Sequence, residues 1–218
     1  MSINKVAENV QEINVIRTPE QMRIISYLQG TPPGCGQSKM TDAQFIEIVT
    51  KKISDLKLQQ KALGKIGLDL DQVNEIPPVN FEDFVFDDAY VKQTDSGDYV
   101  SNIIQSTWLF FSAEEIYLYV FTYWLDRDKK REDTLEYFYK DITALSTSSK
   151  EAKTKTVLTL KSSGCGSEQK VANNESIEST KFQITVPGDK FMVSMKDTED
   201  NESRVQAMKQ MLREKKNA

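Results

Sequence analysis

The proline pair Pro77-Pro78 divides the chain into two kinds of sequence. Before it, apolar residues recur at helical spacing; after it, they alternate or gather in β-branched and aromatic runs. The residue preceding a proline is pushed out of the α region, so no helix crosses this point. The fold class that follows is α+β, with a helical segment over 1–76 and a β domain over 77–218 that ends in a helix. A chain of 218 residues suits one domain or two small ones, and burying roughly 70% of the unfolded surface puts a folded core within reach.

In the first part, Thr18-Pro19-Glu20-Gln21 sets a capping threonine before proline at the first helical position and glutamine at the third. This predicts a helix ending at Gly30, with Met22, Ile25 and Leu28 on its apolar face; a looser helix before it would use Val6, Val10 and Ile13. A second box, Thr41-Asp42-Ala43-Gln44, opens a helix predicted to run to Gly67 with Phe45, Val49, Ile53, Leu56, Leu63 and Ile66 on one face. A third, Asp69-Leu70-Asp71-Gln72, opens a short helix that must stop before Pro77.

Seven strands are expected after the prolines, at 79–88, 99–112, 116–125, 134–145, 155–161, 180–186 and 191–196. One hairpin joins Thr107–Ser112 to Ile116–Phe121 across Ala113-Glu114-Glu115, and both faces of this pair are apolar. Such a pair belongs in a barrel or sandwich interior, or beneath the amino-terminal helices. A second hairpin turns at Pro187-Gly188-Asp189-Lys190. The closing helix begins around Asp200 and presents Val205, Met208 and Leu212 on one side. Ser146–Lys150 and the polar run from Ser162 to Thr180 read as mobile connections.

Seven strands followed by one amphipathic carboxy-terminal helix, together with Glu136-Tyr137-Phe138-Tyr139-Lys140-Asp141-Ile142-Thr143-Ala144-Leu145 after an aromatic hairpin, resemble bacterial pleckstrin-homology-like domains over about residues 79–216. The resemblance implies a seven-stranded antiparallel split barrel of two orthogonal sheets, with Val205, Met208 and Leu212 plugging one open end. It implies a binding scaffold, and carries no catalytic signature.

The chain contains no histidine, which removes Ser-His-Asp and Cys-His hydrolysis, His-ligated zinc and imidazole-based pH switching within one chain. Two cysteines do not close a structural zinc site unaided. Thr31-Pro32-Pro33-Gly34-Cys35-Gly36-Gln37-Ser38 looks like a phosphate-binding loop, but Thr31 stands where glycine is needed and Gln37 where lysine is needed. Arg23–Leu28, which should be a strand in that motif, reads as helix, so a loop between helices is the better account. Asp69-Leu70-Asp71 and Asp126-Arg127-Asp128 start like calcium loops and do not continue as such. No metal or cofactor is expected.

Two features keep testable chemistry. Cys35 and Cys165 each lie between two glycines, as loop thiols or as a redox-active or disulfide pair. Arg127, Lys129, Lys130 and Arg131 form the basic cluster, a candidate lipid-headgroup site by the same resemblance, with acids interleaved at 126, 128, 132 and 133. Family lipid sites centre on the loop after the first strand, which here holds Lys92 but also Asp95 and Asp98. The alternating Tyr117, Tyr119, Phe121 and Tyr123 read as core or as a stripe covered by a helix. A formal charge of −5 argues against nucleic acid as a partner. Without a signal-peptide-length apolar stretch at Met1–Val6 or a spanning segment, a cytoplasmic location is expected. The function expected is non-catalytic protein binding through a sheet edge or open barrel end, with peripheral membrane contact through the basic cluster, aided by Lys215 and Lys216, as the alternative. A divergent nucleotide-dependent enzyme using residues 30–38 is the third reading.

Overall fold

The first two capping boxes close as the sequence requires. In the computed structural model, which describes residues 16–30, 38–73, 76–154, 156–163, 167–173 and 176–217, Thr18 Oγ1 accepts from the Gln21 amide at 3.2 Å and Gln21 Oε1 from the Thr18 amide at 2.8 Å. Helix α1 (Pro19–Gln29) follows and ends at Gly30, whose φ of 62° is a left-handed value that glycine adopts without cost. The same reciprocal pair at Thr41 and Gln44 starts α2 (Asp42–Asp55). The buried face of α1 is Gln21, Ile24, Tyr27 and Leu28, whereas Met22 is exposed. The three-residue spacing of Met22, Ile25 and Leu28 misplaces this face because Gln21 and Tyr27 turn inward to make polar contacts.

The helix expected to reach Gly67 in one piece is broken. Lys57, at φ 45°, separates α2 from α3 (Leu58–Ile66). A left-handed conformation costs a residue with a Cβ roughly 1–2 kcal/mol, and the bend it makes buries Leu58 and Ala62. The third box yields one 3-10 turn, Leu70–Gln72, with Gln72 Oε1 accepting from the Asp69 amide at 2.9 Å. The looser helix proposed around Val6, Val10 and Ile13 lies outside the described residues.

Among the described residues eleven strands follow where seven are expected: β1 (Val79–Phe84), β2 (Tyr90–Gln93), β3 (Tyr99–Ser101), β4 (Ile103–Phe111), β5 (Glu115–Trp124), β6 (Lys129–Phe138), β7 (Ala144–Lys153), β8 (Thr156–Ser163), β9 (Ser167–Asn173), β10 (Ser176–Val186) and β11 (Asp189–Ser194). They form three sheets, in the orders β1-β4-β5-β6, β11-β10-β7 and β3-β2-β8-β9, rather than a single seven-stranded barrel. The third sheet also contains a parallel pair, β2 with β8. The polar stretches expected as mobile connections are strands instead: β7 pairs with β10 from Ala144↔Thr185 to Lys153↔Ser176, and β8 with β9 from Val157↔Asn173 to Ser163↔Ser167. The Ser- and Thr-rich sequence of β7 suits a ladder that satisfies the main chain without an alternating apolar face.

The two predicted hairpins are present. Phe111 pairs with Ile116, and Val186 with Asp189 around Gly188, whose φ of 84° suits the third position of a type II turn. One face of the first sheet buries Phe81, Leu109, Phe111, Leu118 and Val120 against Phe182, Ile184 and Val193 of the second sheet. Helix α4 (Glu199–Asn217) adds Val205, Met208 and Leu212 to this core. The other face, carrying Phe110, Tyr119 and Phe121, is covered by Leu58 and Ala62 of α3, with Tyr117 and Tyr123 partly buried beside them. The aromatic stripe is therefore core beneath a helix. Ile24, Leu28, Phe45 and Val49 of α1 and α2 pack with Val100, Ile104 and Leu125.

Asp83 sits opposite Gln105 on β4. Burial pushes its carboxyl up to about 6, with the Phe84 amide and Lys196 opposing the shift. The unfolded group titrates near about 3.9, so its contribution to stability is full below that value and is lost as pH rises towards 6. Asp83→Asn should narrow the difference between urea midpoints measured at about pH 4 and about pH 7. An unchanged difference would show that this carboxyl is not desolvated.

Candidate functional site

The basic cluster is divided between a turn and a strand. The turn at residues 125–128 joins β5 to β6 and is fixed by Asp126, whose side chain is fully buried. Asp126 Oδ1 accepts from Asn102 Nδ2 at 2.7 Å, and Oδ2 from Arg127 Nε at 2.9 Å. Arg17, just before the α1 cap, donates from Nε to the Asp126 carbonyl at 3.1 Å and brings Nη2 to 3.6 Å from Oδ2. Gln21 of α1 donates to Asp128 Oδ1 at 2.7 Å. A carboxylate so buried requires this complete set of partners. Arg127 is thus part of the buried network that seats α1 on the sheet.

The other three cations lie on β6, because that strand begins at Lys129 rather than at 134. Lys129 Nζ is 4.1 Å from the Trp124 ring centroid, Lys130 Nζ is 3.7 Å from Glu132 Oε1, and Arg131 Nε is 2.7 Å from Asp133 Oδ2. Residues two apart on a strand share a face, so the interleaved acids meet the bases directly. The Lys130 and Arg131 side chains are 63% and 70% exposed, and such pairs are screened by solvent. The structure brings the four residues to one end of the β5–β6 hairpin, each with a ring or a carboxylate beside it. Of the carboxy-terminal lysines, Lys216 bonds the Ile142 carbonyl. Cys35, Cys165 and Gln37 lie outside the described residues.

Glu132 collects more charge than any sequence motif suggests. Lys61 Nζ of α3 approaches Oε1 at 2.5 Å, Lys65 lies at 3.8 Å, and the Tyr119 hydroxyl donates to Oε2 at 3.2 Å. The Lys61 hydrogen bond leads the effects that hold the Glu132 carboxyl below its ordinary value, and burial beside this anion raises the Tyr119 phenol. At the start of α2, Asp42 plays a similar part: it accepts from the Tyr27 hydroxyl at 2.6 Å and the Asp95 amide at 2.8 Å, and pairs with Lys92 at 2.5 Å. Lys92, expected in the loop after the first strand, lies on β2 and is committed to Asp42. Its ammonium also stands 4.1 Å from the Tyr27 ring centroid.

What the hairpin leaves open is main chain. β6 is hydrogen-bonded to β5 through ten residues, from Lys129↔Trp124 to Phe138↔Glu115, and among the described residues no strand pairs with its other flank. Among the described residues β7 pairs only with β10, so the first two sheets part between β6 and β7. Core residues at this opening, Leu135 and Tyr137 of β6 and Leu145 of β7, are only partly buried, and Phe138 is 44% exposed. The Tyr137 hydroxyl donates to Asp189 Oδ2 at 3.2 Å, tying the end of β6 to the β10–β11 turn; burial is the main reason its phenol is pushed up to about 12. Among the described residues, no helix is long and apolar enough to cross a membrane, and no group of three or more acidic or cysteine residues is placed to hold a metal.

A depressed carboxyl such as Glu132 stabilises the fold above its unfolded value of about 4.3, and that contribution is lost as pH falls through the folded value. Glu132→Gln should cost about 1–3 kcal/mol in urea unfolding near neutral pH, the range for a lost charge-assisted bond. The gap to wild type should close as the pH is lowered below the ordinary glutamate range. A gap that persists there would assign the loss to packing instead of charge.

No family model, curated protein or solved structure matches the chain.

Proposed function

We propose that the chain is a non-catalytic protein-binding module of pleckstrin-homology-like architecture, in which β6 receives an extended segment of a partner as an added strand. The observation that carries this reading is the β6 edge: ten residues in unbroken register on one flank and unpaired on the other among the described residues. An edge of this length offers main-chain donors and acceptors in the arrangement that strand addition uses, while side chains to either side provide selection. Two sheets packed face to face, parted at one side and joined by the apolar face of a carboxy-terminal helix, support the architectural part.

The charges on β6 favour selectivity. Lys129, Lys130 and Arg131 are followed by Glu132, Asp133 and Glu136, and a charged edge resists pairing with an unselected strand. Membrane association through Arg127, Lys129, Lys130 and Arg131 is the weaker reading, since carboxylates or a ring already face each of these cations.

Panning a displayed library of ten-residue peptides on the intact protein, followed by residue-resolved amide exchange with an enriched peptide, tests this proposal. The expected result is slowed exchange at alternate amides of β6, with the β4 and β5 amides unchanged. Failure to enrich any peptide, or protection confined to another element, would overturn it.

A further inference from the structure

At the opposite flank of the first sheet from β6, the corner between α2 and α3 stands over two cross-strand pairs, Asn80↔Trp108 and Glu82↔Ser106. The cavity between them measures about 400 Å³, with Lys57 on the helical wall and Asn80, Glu82, Ser106 and Trp108 on the sheet wall. This is within the range of about 300–1,000 Å³ in which proteins hold small molecules.

Two opposite charges face this space without finding each other. Glu82, an exposed position on β1, forms no ion pair among the described residues, and the Asn80 side chain hydrogen-bonds its carboxyl. Asn80 is itself oriented, with its Oδ1 accepting from Ser106 Oγ at 3.1 Å. Lys57 forms no side-chain ion pair among the described residues either. It occupies a left-handed position, φ 45°, that glycine would fill without penalty. Lys57 also precedes the first turn of α3, which has no side-chain cap, so the main-chain polarity there adds to the positive character of that wall.

We propose that this cleft binds a small zwitterion of the α-amino acid or short-peptide class, its ammonium at Glu82 beside the Trp108 indole and its carboxylate at Lys57. The presence of both charges on one cleft is what selects the ligand: a simple cation would leave Lys57 unanswered, and a simple anion would meet Glu82. The indole adds an apolar and cation-attracting surface next to the carboxylate. The site is independent of the β6 edge and stands or falls separately from it.

The test is titration of the intact protein with free amino acids of graded size and with the dipeptide Gly-Gly, following the Trp108 indole N–H signal by NMR. At least one should give saturable shifts, and its N-acetyl and carboxamide derivatives should bind at least tenfold more weakly. Preference between the free amino acids and Gly-Gly shows which form of zwitterion the cleft takes. Glu82→Gln should weaken binding by tenfold or more. Lys57→Gly should weaken it to a similar extent while raising the urea midpoint, which separates ligand contact from damage to the fold. Absence of any shift up to about 10 mM, about ten times a weak dissociation constant of about 1 mM, would overturn the proposal. So would equal binding of the blocked derivatives.

Discussion

The central constraint on this protein is a strand pair with two apolar faces. Along β4 and β5, Leu109, Phe111, Leu118 and Val120 point one way, and Phe110, Tyr119 and Phe121 the other. Each such side chain contributes roughly 1.5–3 kcal/mol only when removed from water, so the pair requires cover on both sides. The second sheet and α4 cover one face, and α3 covers the other. The helical segment is thus a layer of the same core that the β strands build. The bend at Lys57 serves this cover, since it directs α3 across the stripe at which α2 ends.

Polar contacts then fix how the layers meet. Three carboxylates do this, each from a different position: Asp126 receives Arg17, Asp42 receives Lys92, and Glu132 receives Lys61. In every case one partner belongs to the helical segment and the other to the β part. Buried or half-buried charges add little net stability once desolvation is counted, but breaking one leaves an expensive orphan. Their effect is to set orientation, while the apolar layers supply most of the favourable free energy. The same economy explains why the acidic and basic residues of β6 do not form a single-signed patch.

Much of the frame is legible in the residues. Thr18 and Thr41 announce their helices because a cap is local chemistry, and Phe111-to-Ile116 pairing follows from apolar strands separated by a short polar turn. The alternating aromatics of β5 say that the strand is buried, without saying by what. Other features have no local signature. Lys57 breaks a well-patterned helix with no glycine or proline to mark it, because tertiary burial of Leu58 and Ala62 decides the bend. β7 and β9 lack an alternating apolar pattern, and nothing in their own residues marks β10 and β8 as their partners. The basic residues at 127–131 are visible as a cluster, yet their pairing with Glu132 and Asp133 depends on β6 starting at Lys129. Glu82 and Lys57 are 25 positions apart in the chain, and only the packing of α3 against β4 and β5 brings them to one cleft.

The claim that the helical layer and the strand pair form a single core is tested most directly by residue-resolved amide exchange of the intact protein across a urea series. The account predicts that the α3 amides at Leu63 and Ile66 and the β5 amides at Tyr119 and Phe121 converge on one opening free energy and one urea dependence. If α3 lost protection at lower urea while β5 kept its full protection, the second apolar face would not need its helix, and the account would be contradicted.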